Sequence, residues 1–313
     1  MAKNIKKAKM LVGLLLLACL ICFSIVNYQP FSTIAQEVRI ANREVPLKLD
    51  VFVASETGAL AVSTLIEGKK DAILVDGLYF LADGKQLADW VARSGKNLKA
   101  IWITHAHPDH YFAVTQVLER FPNTPVYSIP EVVEDIRRKN DGYVKEFKAM
   151  FGDRVTDKPI VPQVFTQDHL ELEGQRIEII KAPQGDTHHT TILHIPSIKS
   201  AIVADIVYSG VHGYFLETNV ADRQKWIETI NQLKALNLRE VIPGHKIATL
   251  DNSPSSLDAM QQYIETFNRI VKEEPTAEAA YQAIEKAYPN HKLAGFILKL
   301  STDAVYQNGN GWR

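Results

Sequence analysis

Four side chains suited to holding a metal ion fall within six positions, in His105-Ala106-His107-Pro108-Asp109-His110. The segment comes after the apolar run Leu98–Ile103, which reads as a short strand, and leads into residues 110–120, which read as helical. In extended chain, alternate side chains share a face, so His105 and His107 point the same way. Two imidazoles so placed can share one cation, at about 2.0–2.1 Å for zinc. Asp109 and His110 sit where the chain turns into the helix and face a second position beside the first.

Cysteine usage narrows the chemistry further. Both cysteines, Cys19 and Cys22, lie in the first 35 residues, so the remainder has none. Disulfide scaffolds, thiol nucleophiles and zinc fingers are excluded there, and any metal ligands must be imidazole or carboxylate. Neither a Gly-x-Ser-x-Gly elbow nor a P-loop is present. Charge divides the same way. The whole chain has 35 Lys and Arg against 36 Asp and Glu, but Lys3, Lys6, Lys7 and Lys9 stand in a leader without acids. The remainder is mildly acidic, which argues against nucleic-acid binding.

The leader itself is basic over residues 1–9 and uninterruptedly apolar over 10–26, the pattern of an export signal. Its flanking charge predicts translocation of the chain beyond it. Three outcomes stay open: cleavage after Ala35, lipidation at Cys19, or retention as an anchor. Residues 1–35 are therefore expected to be an export signal or membrane anchor, and 36–48 a linker. The expected location is periplasmic, secreted or membrane-anchored, outside the cytoplasm, with membrane contact only through the leader.

Strands are predicted over Leu49–Ala54, Leu60–Ile66 and Ala72–Val75, with a turn at Gly68-Lys69-Lys70. Helices are predicted over Asp83–Ser94 and Pro130–Met150, with a strand at Pro125–Ser128 between them. Strand patterns return at Ile160–Phe165, Arg176–Ile180, Thr191–Ile195, Ala201–Ala204 and Glu240–Ile242. A helix is predicted over Gln224–Leu236. A C-terminal helix starts near Pro254, capped by Asn252 or Ser253, with Leu257, Met260, Ile264, Phe267 and Val271 as its buried stripe. Two strand-rich blocks, each succeeded by helices, predict two packed sheets with helices outside. No composition shift marks a domain break after residue 48.

With these residues in hand, the chain resembles the metallo-β-lactamase superfamily, whose hallmark is His-x-His-x-Asp-His after a strand. Ala201-Ile202-Val203-Ala204-Asp205 looks like that family's strand ending in a metal-bridging aspartate. Pro243-Gly244-His245 looks like its loop carrying the last histidine. The resemblance covers residues 49–250 and implies an α+β, four-layer αββα sandwich, with 251–313 a C-terminal helical extension packed on the same domain. It implies that His105 and His107 bind a first metal, that Asp109, His110 and His245 bind a second, and that Asp205 bridges both. The third ligand of the first metal departs from the family. Where a Gly-His-Thr or Gly-His-Ser is usual, this chain reads Gln184-Gly185-Asp186-Thr187-His188-His189. Gln184, Asp186, His188 and His189 all stay open, with Asp186 and His188 preferred.

Other residues are weighed singly. Asp76-Gly77 reads equally as a turn or as part of the site. Tyr208, His212 and Tyr214 are expected to line a substrate pocket, with His212 as a proton donor to the leaving group and Asp109 orienting the attacking hydroxide. Tyr111, Phe112, Trp90 and Trp102 read as packing residues, His169, His194 and His291 as structural, and Glu131–Lys148 as a solvated helix face. The expected activity is an exported metal-dependent hydrolase of a small ester, lactone, thioester or amide. Its cofactor is expected to be zinc, one or two ions, with iron or manganese as alternatives. Two other readings remain: an iron-dependent oxidoreductase on the same fold, and a non-catalytic metal-binding protein with a weakened first site. Nuclease relatives carry a large insertion, whereas Asp205 and His245 are only about forty residues apart here. The partner is expected to be a small molecule and not nucleic acid.

Overall fold

In the computed structural model, which describes residues 45–309, the chain begins with an antiparallel pair, β1 (Lys48–Val53) and β2 (Val62–Glu67). β2 turns through Gly68–Lys70 into antiparallel β3 (Asp71–Val75). The Glu173 carboxylate, from a turn of the other sheet, accepts the backbone amides of Lys69, Lys70 and Asp71 at 2.7, 2.6 and 2.9 Å. Helix α1 (Leu81–Arg93) then carries the chain to parallel β4 (Asn97–Trp102). Helix α2 (Val114–Arg120) leads to β5 (Val126–Ser128), and α3 (Pro130–Phe151) to β6 (Gln163–Val164). These last pairings are parallel, as helical crossovers require. The first sheet has the order β1-β2-β3-β4-β5-β6.

The second sheet starts with β7 (His169–Leu172), β8 (Gln175–Lys181) and β9 (Thr191–Ile195), an antiparallel meander. β10 (Ser200–Ser209) continues it, and α4 (Val220–Ala235) crosses to parallel β11 (Glu240–Lys246). The order is β11-β10-β9-β8-β7. Alternation along the strands separates two cores. Leu193, Ile202 and Ile242 point towards Leu65, Leu74 and Trp102 between the sheets. Their neighbours Ile192, Val203 and Val241 face Trp226 and Ile230 of α4, and the C-terminal helices. With α1–α3 packed on the first sheet, the result is a four-layer αββα sandwich.

From Pro46 on, the described residues form one compact unit. Its C-terminal part comprises α5 (Ser255–Glu273), α6 (Ala277–Ala287), a widened helical turn at Ala294–Leu298 and α7 (Lys299–Gln307). The predicted α5 stripe, from Leu257 to Val271, is buried against β10 and α4. The cap position falls on Pro254, one residue later than Ser253 and without a side-chain cap bond, while Ser253 Oγ accepts from Ser255 N.

Several elements differ from the sequence expectation. β6 shrinks to two residues because Pro162, lacking an N–H, stands immediately before it. β7 has no counterpart among the predicted strands. β11 runs on through Pro243, which an edge strand tolerates. The export leader lies outside the described residues. Among the described residues, no helix is long and apolar enough to cross a membrane.

Candidate metal centre

The histidine segment, Asp186, Asp205 and His245 converge where the two sheets meet. Ala61 bridges to His245, and Lys246 N donates to Leu60 O at 3.2 Å, tying β11 to the start of β2. Beyond β4, Asp76 organises the histidine segment from the end of β3. It sits at φ 64°, and its Oδ1 accepts from Thr104 N at 2.8 Å. Its Oδ2 accepts from Thr104 Oγ1 at 2.8 Å and from His110 Nδ1 at 2.8 Å. Because Thr104 Oγ1 spends its proton on Asp76, it accepts from His105 Nδ1 at 3.0 Å. One buried carboxylate thereby fixes the orientation of two imidazoles, directly through His110 Nδ1 and through Thr104 to His105 Nδ1, and turns both Nε2 atoms inward. Asp76 is thus part of the site and not a plain turn.

Two groups of donors result. His105, His107, Asp186 and Asp205 bring one donor atom each within 4.8 Å of one another; Asp109, His110 and His245 do the same. His105 Nε2 lies 3.1 Å from His107 Nδ1, which lies 3.1 Å from Asp186 Oδ2. In the second group His245 Nε2 is 3.3 Å from Asp109 Oδ2. Asp205 joins the groups: Oδ2 is 3.7 Å from His105 Nε2 and 3.2 Å from His245 Nε2, and Oδ1 is 3.2 Å from His110 Nε2. Register shifts in β10 on both sides of Ala204, itself at φ 47°, re-aim Asp205 towards the opening. Gly244 makes room for it, since a Cβ there would stand 1.8 Å from Asp205 Oδ1.

The other faces of the remaining imidazoles are also held. His245 Nδ1 donates to Ala59 O at 2.7 Å. His107 Nε2 faces Glu217 Oε1 at 3.4 Å, and Glu217 in turn accepts from Lys139 Nζ at 3.1 Å and Thr187 Oγ1 at 2.8 Å. Burial opposes ionisation of Glu217, yet His107, Lys139 and Thr187 hold its carboxyl well below the ordinary range. Glu217 escapes a sequence reading because no motif surrounds it; its partners are 110, 78 and 30 positions away. Tyr208 stacks flat on His245, centroids 4.9 Å apart, and its hydroxyl lies 2.7 Å from Asp205 Oδ2 and 3.0 Å from Asp186 Oδ2. Burial and these two carboxylates push the phenol well above its usual value, so it stays protonated.

The donor set fits a divalent cation. Buried Asp186 Oδ1 has no hydrogen-bond partner, and His110 Nε2 and Asp205 Oδ1 face each other at 3.2 Å. Burial works against charging the imidazoles, but the inward carboxylates still raise His107, His110 and His245 above the ordinary range. His105, by contrast, is held well below the ordinary range by burial and by the imidazoles around it. Nitrogen and carboxylate donors without thiolate suit zinc, iron or manganese.

At the third-ligand segment the structure brings in Asp186 and leaves out the others. The loop closes on itself, Gly185 N donating to Thr187 O at 3.2 Å and Ala182 N to Thr190 O at 2.9 Å, which turns Asp186 inward. His188, preferred equally with Asp186 on sequence, is exposed on the outside of that loop. His189 is exposed and pairs with Asp135 at 2.6 Å. Gln184 is buried, but its amide donates to Gly185 O. His212 is corrected too. After β10 the chain turns at Gly210, φ 69°, and His212 N donates to Lys292 O. Its ring enters the helical core, with Nδ1 2.8 Å from the Tyr263 hydroxyl, and does not line the cleft. Tyr208 and Tyr214 on either side do line it.

A sequence profile of the Metallo-beta-lactamase superfamily matches residues 57–245. The chain belongs to this superfamily of metallo-hydrolases, as its sandwich fold and donor constellation also indicate. A hydroxyacylglutathione hydrolase of Actinobacillus pleuropneumoniae serotype 3 (strain JL03) is 26% identical over 188 residues, 60% of this chain. The match spans 66% of that relative, just under two thirds of its length. Among solved structures, a metallo-beta-lactamase family protein of Thermus thermophilus superposes with a TM-score of 0.60 at 15% identity, covering 84% of this chain and 94% of that one. DIM-1 metallo-beta-lactamase superposes at 0.53 with 17% identity, over 72% and 99% respectively. These structural likenesses show the fold.

Proposed function

We propose that the protein is an exported metal-dependent hydrolase of a small ester, lactone, thioester or amide. The observation that carries this reading is the pair of donor groups joined by Asp205, which reaches His105 from one group and His110 and His245 from the other. His105, His107 and Asp186 would hold a first cation and Asp109, His110 and His245 a second, with Asp205 between. Zinc is the proposed metal, as one or two ions. Bound there, a divalent cation supplies Lewis acidity and a water activated near neutral pH.

The chain's own groups supply orientation. Asp109 is the donor most open to the cleft, its side chain 21% exposed, so its carboxylate can orient a water. Tyr208 keeps its proton and holds the Asp205 and Asp186 carboxylates in place with it. In the hydrolysis, water oxygen joins the acyl carbon, the bond from that carbon to the leaving atom breaks, and the leaving atom takes up a water proton. The hydroxyacylglutathione hydrolase relatives support acyl-bond hydrolysis as the class. Export rests on the leader's basic and apolar pattern.

The purified full chain should bind one or two zinc ions by elemental analysis and turn over chromogenic esters or lactones. His107→Ala should lose both. A wild type that takes up no metal under any loading condition would overturn the reading. Cell fractionation that leaves the protein in the cytoplasm would overturn export.

A further inference from the structure

The cleft above the donor groups has a volume of about 240 Å³, and away from those groups its walls are mostly apolar. One wall is the inner face of α3, with Tyr143, Phe147 and Met150. The opposite wall comes from the C-terminal part, with Phe296, Ile297 and Leu300. That wall lies outside residues 57–245, the part shared with the superfamily profile. It is carried by the widened turn Ala294–Leu298, in which Leu298 N reaches back to Leu293 O. Such widened turns recur at functional sites.

Two features of this cleft point to a ligand class. First, large apolar side chains stay exposed at its mouth: Met150 is 50% exposed, Phe296 46% and Leu300 37%. They face one opening from three elements, α3, the widened turn and the start of α7, where a ligand would cover them. Second, the charged groups lining it are Asp109, Glu146, Asp186 and Asp205 beside the imidazoles; among the described lining residues there is no Lys or Arg. With Asp109, Asp186 and Asp205 engaged by the proposed cations, Glu146 is the lining charge that remains, so a carboxylate on the distal part of a substrate would meet like charge with no basic side chain to receive it.

We infer that the substrate is electrically neutral and carries an apolar acyl or aryl tail, which lies between α3 and the Phe296–Leu300 wall. This rests on the hydrolase reading for the reaction, but the tail site stands on the cleft alone. It separates this chain from the hydroxyacylglutathione for which its relatives are named, whose glutathione part carries carboxylates.

The test uses the full chain, metal-loaded, and matched thioesters that differ only in charge. Acetyl, butanoyl, hexanoyl and octanoyl groups are placed on N-acetylcysteamine, which is neutral, or on glutathione, which is anionic. The expected kcat/KM rises about three- to four-fold per added methylene along the neutral series. Each neutral thioester should exceed its glutathione counterpart at least about tenfold. Phe296→Lys, at a half-exposed position, should flatten the chain-length series and shift preference towards glutathione. Binding is read separately, by thermal shift of metal-free protein with 2-octanone, 2-butanone and octanoate. The expected order is 2-octanone first, with octanoate weakest. A flat neutral series, a preference for glutathione thioesters, or equal binding of the two ketones would overturn the inference. Turnover with glutathione preferred would sink the tail site and leave the hydrolase reading intact. Selective 2-octanone binding without turnover of any ester would do the reverse.

Discussion

Asp186 is the residue on which the site's individuality turns. It lies in the segment where the superfamily usually has a Gly-His motif, is fully buried, and its Oδ2 reaches His107 Nδ1 at 3.1 Å. If it completes the first donor group, Asp186→Asn should weaken affinity for that cation by at least about tenfold in a competitive chelator titration. His188→Ala should leave the affinity unchanged, because His188 points to solvent. Equal effects from both would assign the ligand wrongly. The four residues of the histidine segment, Asp205 and His245 are legible in the sequence because each follows a predicted strand with a recognisable neighbour pattern. The choice between Asp186 and His188 is not legible, since two residues of loop reverse a side chain and only the turn at Gly185 decides its direction. Asp76 and Glu217 act through contacts 28 to 110 positions away, which spacing along the chain does not reveal.

At the level of elements, β10 and β11 position the chemistry by being irregular. Regular strands are easier to read, and here the pattern marks only Ala201–Ala204 and Glu240–Ile242 of what are ten- and seven-residue strands. Ala204 is itself left-handed and an aspartate follows it, and β11 passes through Pro243-Gly244, so both lose strand character just where they become functional. Gly244→Ala tests that fit. Its Cβ would meet Asp205 Oδ1 at 1.8 Å and the Ala204 carbonyl carbon at 2.7 Å. The expected cost is about 1–3 kcal/mol of stability in denaturant titration, together with loss of metal.

Beyond β10, His212 gives the fold a pH dependence that does not involve the centre. Burial, reinforced by His291, lowers its pKa to about 3. Tyr263 on α5 and His291 are the titratable groups that face it. An unfolded chain binds the proton near pH 6.5 and the folded one does not, so stability is lost as pH falls below about 6.5. His212→Gln should reduce the fall in Tm between pH 6.5 and 4 relative to wild type. An unchanged slope would show that His212 is protonated in place.

On the scale of the whole molecule, the sandwich is readable from two blocks of strands each succeeded by helices. How the blocks are joined is not in that pattern. At the metal-centre end, Ala61 pairs with His245 and Leu60 O receives Lys246 N. At the far end, three amides of the β2–β3 turn close on Glu173. Two sheets stitched at both ends cannot act as jaws. Any breathing of the cleft must then fall to its side walls, α3 and the turn at Ala294–Leu298, while the floor keeps its geometry. Hydrogen exchange should show this division, with amides of 294–300 exchanging faster than those of β2 and β10. Glu173→Ala should speed exchange at Lys69–Asp71 without changing metal affinity. The molecule would then resemble an anvil with movable fences: admission and release of substrate set by the walls, and the reacting geometry by a base that does not flex.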